Sequence, residues 1–456
     1  MDERLPVNFE WGLATSAWQI EGDSQGRGPS TWDAFAAEPG RIVDGATADP
    51  ACDHVHRVEE DLDLMAWMGL DAYRFSISWP RVIPNGAGEI SVAGLDFYDR
   101  LVDGLLARNI RPVATLYHWD LPLALEQAGG WPIRDTAERF ADYATVVGER
   151  LADRVDRWAT LNEPWCTAFL GYCAGYFAPG RQEPGASLAA AYHLMLGHGL
   201  AVQRLRAAGA RNVGIALNII PIIADDPSMQ SAADHVDRLQ NGIFLDLLAG
   251  RGIDPQLNRD TAVLTDWSFV REEDLDIIAA PLDWLGENYY TVMRIAPESS
   301  ADTDAIGQDA SMFPASPPLS FAPRPPFTDM GWEVVPEGLG MALHRMADDL
   351  PGVPLWVCEN GAAVPEIIDA DGIHDPRRVD YLERHIDELA HSRESGIDIR
   401  GYFGWSLLDN LEWASGWTKR FGLVRVDPVT GVRTPKDSAY WYRDHIAGQR
   451  ARRAAQ

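Results

Sequence analysis

The sequence predicts one (β/α)8 barrel with long loops at the C-terminal face of its strands. Short apolar runs alternate with segments of helical period along the 456 residues, eight such runs can be found, and no second compositional block interrupts them. Strand and helix in alternation imply a parallel sheet. Eight units without a compositional break fit a closed barrel better than the alternative, an open doubly wound sheet with a second domain. The domain expected is therefore 1–456, with a core of about 9–446 and a tail of about 447–456.

The strands expected, in order, are Phe9–Thr15, Ala72–Ser78, Pro112–His118, Trp158–Asn162, Val213–Ile219, Leu282–Tyr289, Leu355–Cys358 and Gly401–Leu407. Between them, sets such as Tyr98, Leu101, Val102 and Leu105, or Leu339, Leu343 and Met346, or Leu382, Ile386 and Leu389 recur at helical spacing. The stretch 299–327 carries six prolines from Pro314 to Pro326, which excludes helix and central strand. With strands on both sides of it, it reads as a flexible loop on the barrel rim after strand six.

Composition removes several classes of function. Lys and Arg number 39 against 68 Asp and Glu, a formal charge of -29, which repels nucleic acid and anionic membrane surfaces. The short basic run "RARRAA" reads as a solvated helix end. The charged start "MDERLPVNFE" lacks the apolar region of a signal peptide and no membrane-length apolar run follows, so a cytoplasmic protein is expected. Four cysteines without CxxC spacing fit reduced core residues. "CDHVH", with His54 and His56, matches no zinc spacing, and no glycine-rich phosphate loop opens a helix after a strand, so neither metal nor cofactor is expected. The 17 tryptophans suggest flat apolar platforms in a pocket as well as core. A homo-oligomer is compatible with the sequence, though no feature specifies one.

The polar residues that stand out follow apolar runs. Strand three ends in "LYHWD", strand four in "TLNEPW", strand six in "ENYY", strand seven in "CENG" and strand eight in "WSLLDNLEW". In a barrel these ends surround one opening, so Glu163 and Glu359 face each other across it. Two carboxylates in a pocket of amide, phenol, imidazole and indole groups suit glycoside hydrolysis, one protonating the leaving oxygen while the other attacks or activates water. Pro164 is expected to hold Glu163 in extended geometry, and Gly361 to permit a turn that a side chain would hinder. The competing structural reading puts both carboxylates in rim salt bridges, but aromatics beside both weigh against it.

These motifs resemble glycoside hydrolase family 1, the retaining β-glucosidase family, from about Phe9 to about Tyr442. "FEWGLATSAWQIEG", "TLNEP", "VCENG" and "WSLLDNLEWASGW" followed by "KRFGLVRVD" occur in the family's order. The resemblance implies hydrolysis of terminal β-D-glucosyl residues from β-glucosides and short cello-oligosaccharides, with Glu359 as nucleophile and Glu163 as general acid, then base. Retention implies carboxyl groups about 5 to 5.5 Å apart. Arg74 and Tyr290 would hold Glu359 charged, and Asn288 belongs with this catalytic group.

For the sugar, the resemblance points to Gln19, His118, Asn162, Glu412 and Trp413 as hydrogen-bond partners, with Trp119 beside them. Trp405 would be the stacking floor and Trp332 the leaving-group platform. Glu412 implies an unphosphorylated sugar, because a carboxylate would repel a 6-phosphate. A cis Trp405–Ser406 peptide is also implied. Trp18, Cys358 and Phe177 depart from the family's usual residues: the first two read as packing changes, while Phe177 predicts a more apolar aglycone site. A binding protein without catalysis is disfavoured by the presence of both carboxylates. β-Galactosides, β-fucosides and transglycosylation remain compatible with the same residues.

Overall fold

The computed structural model describes residues 5–297 and 308–455. Eight strands form a closed, all-parallel barrel: β1 (Glu10–Ala14), β2 (Ala72–Ser76), β3 (Arg111–Tyr117), β4 (Arg157–Asn162), β5 (Val213–Leu217), β6 (Trp284–Asn288), β7 (Leu355–Asn360) and β8 (Ile399–Trp405). Neighbours in sequence are neighbours in the barrel, and β1 closes it by pairing with both β2 and β8. Each expected strand is present, with ends moved by a few residues. The largest gain is in β7, which continues through Glu359 and Asn360 rather than stopping at Cys358.

The barrel interior explains why these strands are apolar on both faces. Ala14, Ala72, Ala159 and Ala216 face a group of large side chains that includes Trp284, Trp356 and Phe403, so small and bulky residues interdigitate. At the N-terminal end Glu10 accepts from Arg157 at 2.6 Å and from the Trp356 indole at 3.0 Å, while the Arg157 guanidinium lies 4.1 Å from the Trp356 ring centroid. This charge-paired plug seals the bottom and leaves the top for chemistry.

The three helical patterns become helices Val92–Ala107, Pro336–Asp349 and Pro376–Glu394, with their periodic apolar residues buried. Two expectations are corrected. The tail is not a tail: one helix runs from Asp437 to Ala455, held by Tyr442, whose hydroxyl donates to the Gly12 carbonyl at 2.8 Å, and by buried Ile446. The rim loop is not free along its described part. Residues 299–307 lie outside the described residues, but Ser320–Phe321 pairs antiparallel with Met293–Ala296, itself paired with Ile222–Ala224, and Met312, Phe313, Leu319 and Phe321 are buried. Apart from one turn of helix at Ala310–Met312, the described part of this proline-rich segment is neither helix nor barrel strand, and apolar anchors nevertheless fixed it. Among the described residues no helix is long and apolar enough to cross a membrane.

Candidate active site

A cavity of about 570 Å³ opens at the C-terminal ends of the strands. Glu359 reaches it from β7, where the register against β6 shifts between Val357 and Glu359, so that Glu359 pairs with Asn288. Such a bulge re-aims a side chain at the strand end. Asn360, next along, turns the other way: its Nδ2 donates to the Tyr289 carbonyl at 2.7 Å and its Oδ1 accepts from the Tyr402 hydroxyl at 2.8 Å. Gly361 follows because a Cβ there would lie 1.8 Å from the Trp405 carbonyl oxygen. Space, rather than a turn, demands the glycine.

Glu163 follows β4 with φ of +43°. The expectation that Pro164 would keep it extended is overturned. Its N–H donates to Ala216 at 2.9 Å and its carbonyl accepts from Cys166 N–H at 3.0 Å, so the chain bends sharply into the helical segment Cys166–Ala174. Trp119 (φ +78°) and Trp413 (φ +48°) share this left-handed geometry. Backbone strain in non-glycine residues costs of order 1–3 kcal/mol each and persists where surrounding structure over-determines it.

The two carboxylates sit in different company. Glu359 Oε1 accepts from Arg74 at 2.6 Å and Oε2 from the Tyr290 hydroxyl at 2.8 Å. Glu163 Oε1 accepts from Asn288 Nδ2 at 2.7 Å and Oε2 from the Cys166 thiol at 3.0 Å. Burial, then the Glu359 charge, pushes the Glu163 carboxyl up to about 7. Burial raises Glu359 as well, but Arg74, Tyr290 and Asn288 all oppose it by favouring the ionised form. One carboxyl is thus biased toward protonation and the other is surrounded by groups that favour its charge.

Asn162 ties the two halves together. Its Oδ1 accepts from Arg74 at 2.6 Å and from Asn288 at 2.9 Å, which directs its Nδ2 to His118 Nε2 at 3.0 Å. His118 Nε2 is therefore the acceptor and Nδ1 carries the hydrogen. Burial and the Arg74 charge hold this imidazole well below its ordinary pKa, hence neutral.

His118, Trp119, Glu163, Asn288, Tyr290, Trp332, Glu359, Trp405, Glu412 and Trp413 line the cavity. Arg74, Gln19 and Asn162 are not in its wall; all three are buried behind it. Gln19 spends its amide on Asn410 Oδ1 at 2.9 Å and the Leu411 carbonyl at 2.8 Å, which fixes the loop that presents Glu412 and Trp413. Glu412 Oε2 has no partner among the described residues, and burial with the Glu359 and Glu163 charges pushes that carboxyl up to about 8.

The indoles form one assembly. Trp413 stacks on Trp18 at 5.7 Å and 7°, and packs on Trp32 at 4.6 Å and on Trp119 at 4.4 Å. Trp119 Nε1 donates to the Asn162 carbonyl at 2.9 Å. On the far side Trp332 packs on Tyr290 at 5.4 Å and on Phe421 at 6.2 Å. The Trp405–Ser406 peptide is cis, as the resemblance implied. Trp18 and Cys358 are buried packing residues, and Phe177 lines the cavity against Trp32 and Trp119.

Two contributors were missed from sequence. Cys166 was read only as a core thiol, although its position three residues after Glu163 at a helix start was a usable signal. Phe421 lay in a quoted motif without a role. Of the "CDHVH" pair, His54 is committed to Asp61 at 2.8 Å, and Asp61 in turn to Arg433 at 2.8 Å.

The model for "Glycosyl hydrolase family 1" matches residues 1–450. A thermostable beta-glucosidase B of Thermobispora bispora is 45% identical over 452 residues, which is 98% of this chain and 91% of that protein. A bifunctional beta-D-glucosidase/beta-D-fucosidase of Bifidobacterium breve is 44% identical over 98% of this chain and 99% of its own length. Among solved structures, a psychrophilic beta-glucosidase from Micrococcus antarcticus superposes with a TM-score of 0.94 at 44% identity, covering 98% of both chains. Near-complete coverage at this identity, on a barrel carrying two carboxylates at the ends of β4 and β7, makes this chain a member of glycosyl hydrolase family 1.

Proposed function

We propose that the chain is a retaining β-glucosidase in which Glu359 is the nucleophile and Glu163 the acid/base, the whole chain acting as one catalytic domain. The observation that supports this most is the asymmetry of the pair: Glu359 lies between Arg74 and Tyr290, while Glu163 is pushed up to about 7. An ionised nucleophile and a protonated acid are what the first step needs. Glu359 attacks the anomeric carbon as Glu163 gives its proton to the leaving oxygen. With the Glu359 charge consumed in the glycosyl ester, the repulsion holding the Glu163 proton is relieved, and Glu163 takes a proton from the attacking water.

In this reading Glu412, His118 through Nδ1–H, and Trp413 meet the sugar hydroxyls, Trp405 supplies the apolar floor and Trp332 the leaving-group platform. Arg74, Gln19 and Asn162 hold those groups rather than line the wall. Short cello-oligosaccharides are the substrates proposed, in a cytoplasmic setting that the four buried free thiols support. β-Fucosides form a second reading, supported by the bifunctional relative. Proton NMR of p-nitrophenyl β-D-glucoside hydrolysis tests the mechanism: β-glucose is expected to appear before its α anomer, and α-glucose as first product would contradict it.

A further inference from the structure

Each oxygen of Glu163 has its own donor. Asn288 takes Oε1, and the thiol of Cys166 takes Oε2 at 3.0 Å. Cys166 is buried at the start of its helical segment and lines the cavity. Asn218 Nδ2 lies 3.8 Å from its sulfur as a donor, which leaves the thiol hydrogen free to point at Glu163. Burial and the Glu163 charge push the thiol well above its ordinary pKa, so it stays protonated and donates.

A thiol is a weak donor. An apolar side chain there would leave a buried carboxylate oxygen bare, whereas a hydroxyl would bind the ionised form more strongly and oppose its reprotonation. We propose that Cys166 is a positioning residue for the proton cycle of Glu163, its thiol steadying Oε2 when the carboxylate is ionised and yielding when it is protonated. The inference rests on the acid/base role proposed for Glu163. No proton crosses the sulfur: the S–H bond stays intact, the Glu163 proton leaves with the departing alcohol, and it is replaced from the attacking water.

The test compares Cys166→Ala and Cys166→Ser with wild type on cellobiose, whose leaving group needs protonation, and on 2,4-dinitrophenyl β-D-glucoside, whose leaving group does not. Without the donor, the alkaline limb of kcat/KM on cellobiose moves up by about half to one pH unit in Cys166→Ala. On the activated substrate, where hydrolysis of the glycosyl-enzyme sets kcat, the acid limb of kcat moves up by the same amount because Glu163 ionises later in that intermediate, so kcat on that limb falls by about three- to tenfold while kcat/KM holds. Cys166→Ser moves the limb the opposite way, to wild type or below. Limbs unmoved in both variants, or equal losses of kcat and kcat/KM on both substrates with Ser no better than Ala, would overturn the proposal and leave a packing residue. Glu163→Ala run alongside separates the two claims. It should keep kcat/KM on the activated substrate and lose it on cellobiose; full retention on cellobiose would instead remove the acid/base reading beneath.

Discussion

Arg74 and Glu359 meet at 2.6 Å with both side chains almost wholly withdrawn from water, 1% and 4% exposed. Removing one partner of such a pair leaves an uncompensated buried charge, at about 3 to 5 kcal/mol. Arg74→Met is expected to lower kcat by about two to four decades. It also moves the acid limb of kcat/KM upward, because Glu359 loses the group that most opposes its burial. The pH profile separates this from simple unfolding, since an unfolded fraction lowers the rate without moving the limb.

On the proposed roles, the alkaline limb belongs to Glu163. This group must be protonated for the first step, its pKa in the fold is about 7, and activity on poor leaving groups is therefore lost as pH rises through about 7. Rates on cellobiose from pH 5 to 9 check this. A flat profile across that range would place the acid elsewhere.

Asp120 predicts a pH dependence of stability rather than of rate. Among the described residues neither carboxyl oxygen has a partner at hydrogen-bond geometry, and burial, opposed chiefly by the nearby Ser78 hydroxyl, pushes the group from 3.8 up to about 8. A raised folded pKa means the unfolded chain releases the proton first, so the contribution is fully present below about 4 and is lost as pH rises toward about 8. The slope is up to about 1.4 kcal/mol per pH unit. Asp120→Asn should match wild type at about pH 4 and unfold at a progressively higher temperature than wild type as pH rises to about 8, read by thermal melts.

Glu412 predicts selectivity. On the proposed role of Glu412, a phosphate on the sugar's 6-position would meet a buried carboxyl already pressed by two others. Wild type should favour p-nitrophenyl β-glucoside over its 6-phosphate by about a hundredfold or more, since a charge buried beside an acidic carboxyl without a partner costs about 3 to 5 kcal/mol. Glu412→Ser should narrow that ratio. An unchanged ratio would separate Glu412 from the sugar's 6-position.

Phe177 predicts aglycone preference. Its ring packs 5.2 Å from Trp32 and 5.5 Å from Trp119 on the cavity wall. Phe177→His should lower kcat/KM on octyl and aryl glucosides relative to cellobiose by about three- to tenfold, the worth of one apolar contact of a few methylenes. An unchanged ranking would detach this ring from the aglycone.

Much of the site was legible because it is written at strand ends. Glu163, Asn288 and Glu359 each close an apolar run, and eight such runs in a parallel barrel leave one opening for them. What was not legible depends on register and on paired side chains far apart in sequence. That Arg74 reaches across the barrel mouth from β2 to Glu359 on β7 and Asn162 on β4, or that Gln19 serves the Asn410–Leu411 loop because β1 pairs with β8, is not written in local pattern. The left-handed Glu163 was missed because a proline after it argues for extension, and the tertiary hydrogen bond to Ala216 together with the local turn bond from Cys166 overrode that preference. Residues from about 447 read as a tail because that polar run carries little apolar period, whereas Tyr442 and Ile446 anchor the helix it extends on the barrel.

The central claim is that Glu359 is the nucleophile, and chemical rescue tests it most directly. Glu359→Gly, assayed on 2,4-dinitrophenyl β-D-glucoside with and without sodium azide, is expected to be inactive alone and active with azide. The product should be α-glucosyl azide, because the small anion attacks from the face that Glu359 vacates. Full activity of the variant without azide, or β-glucosyl azide as the product, would contradict the assignment.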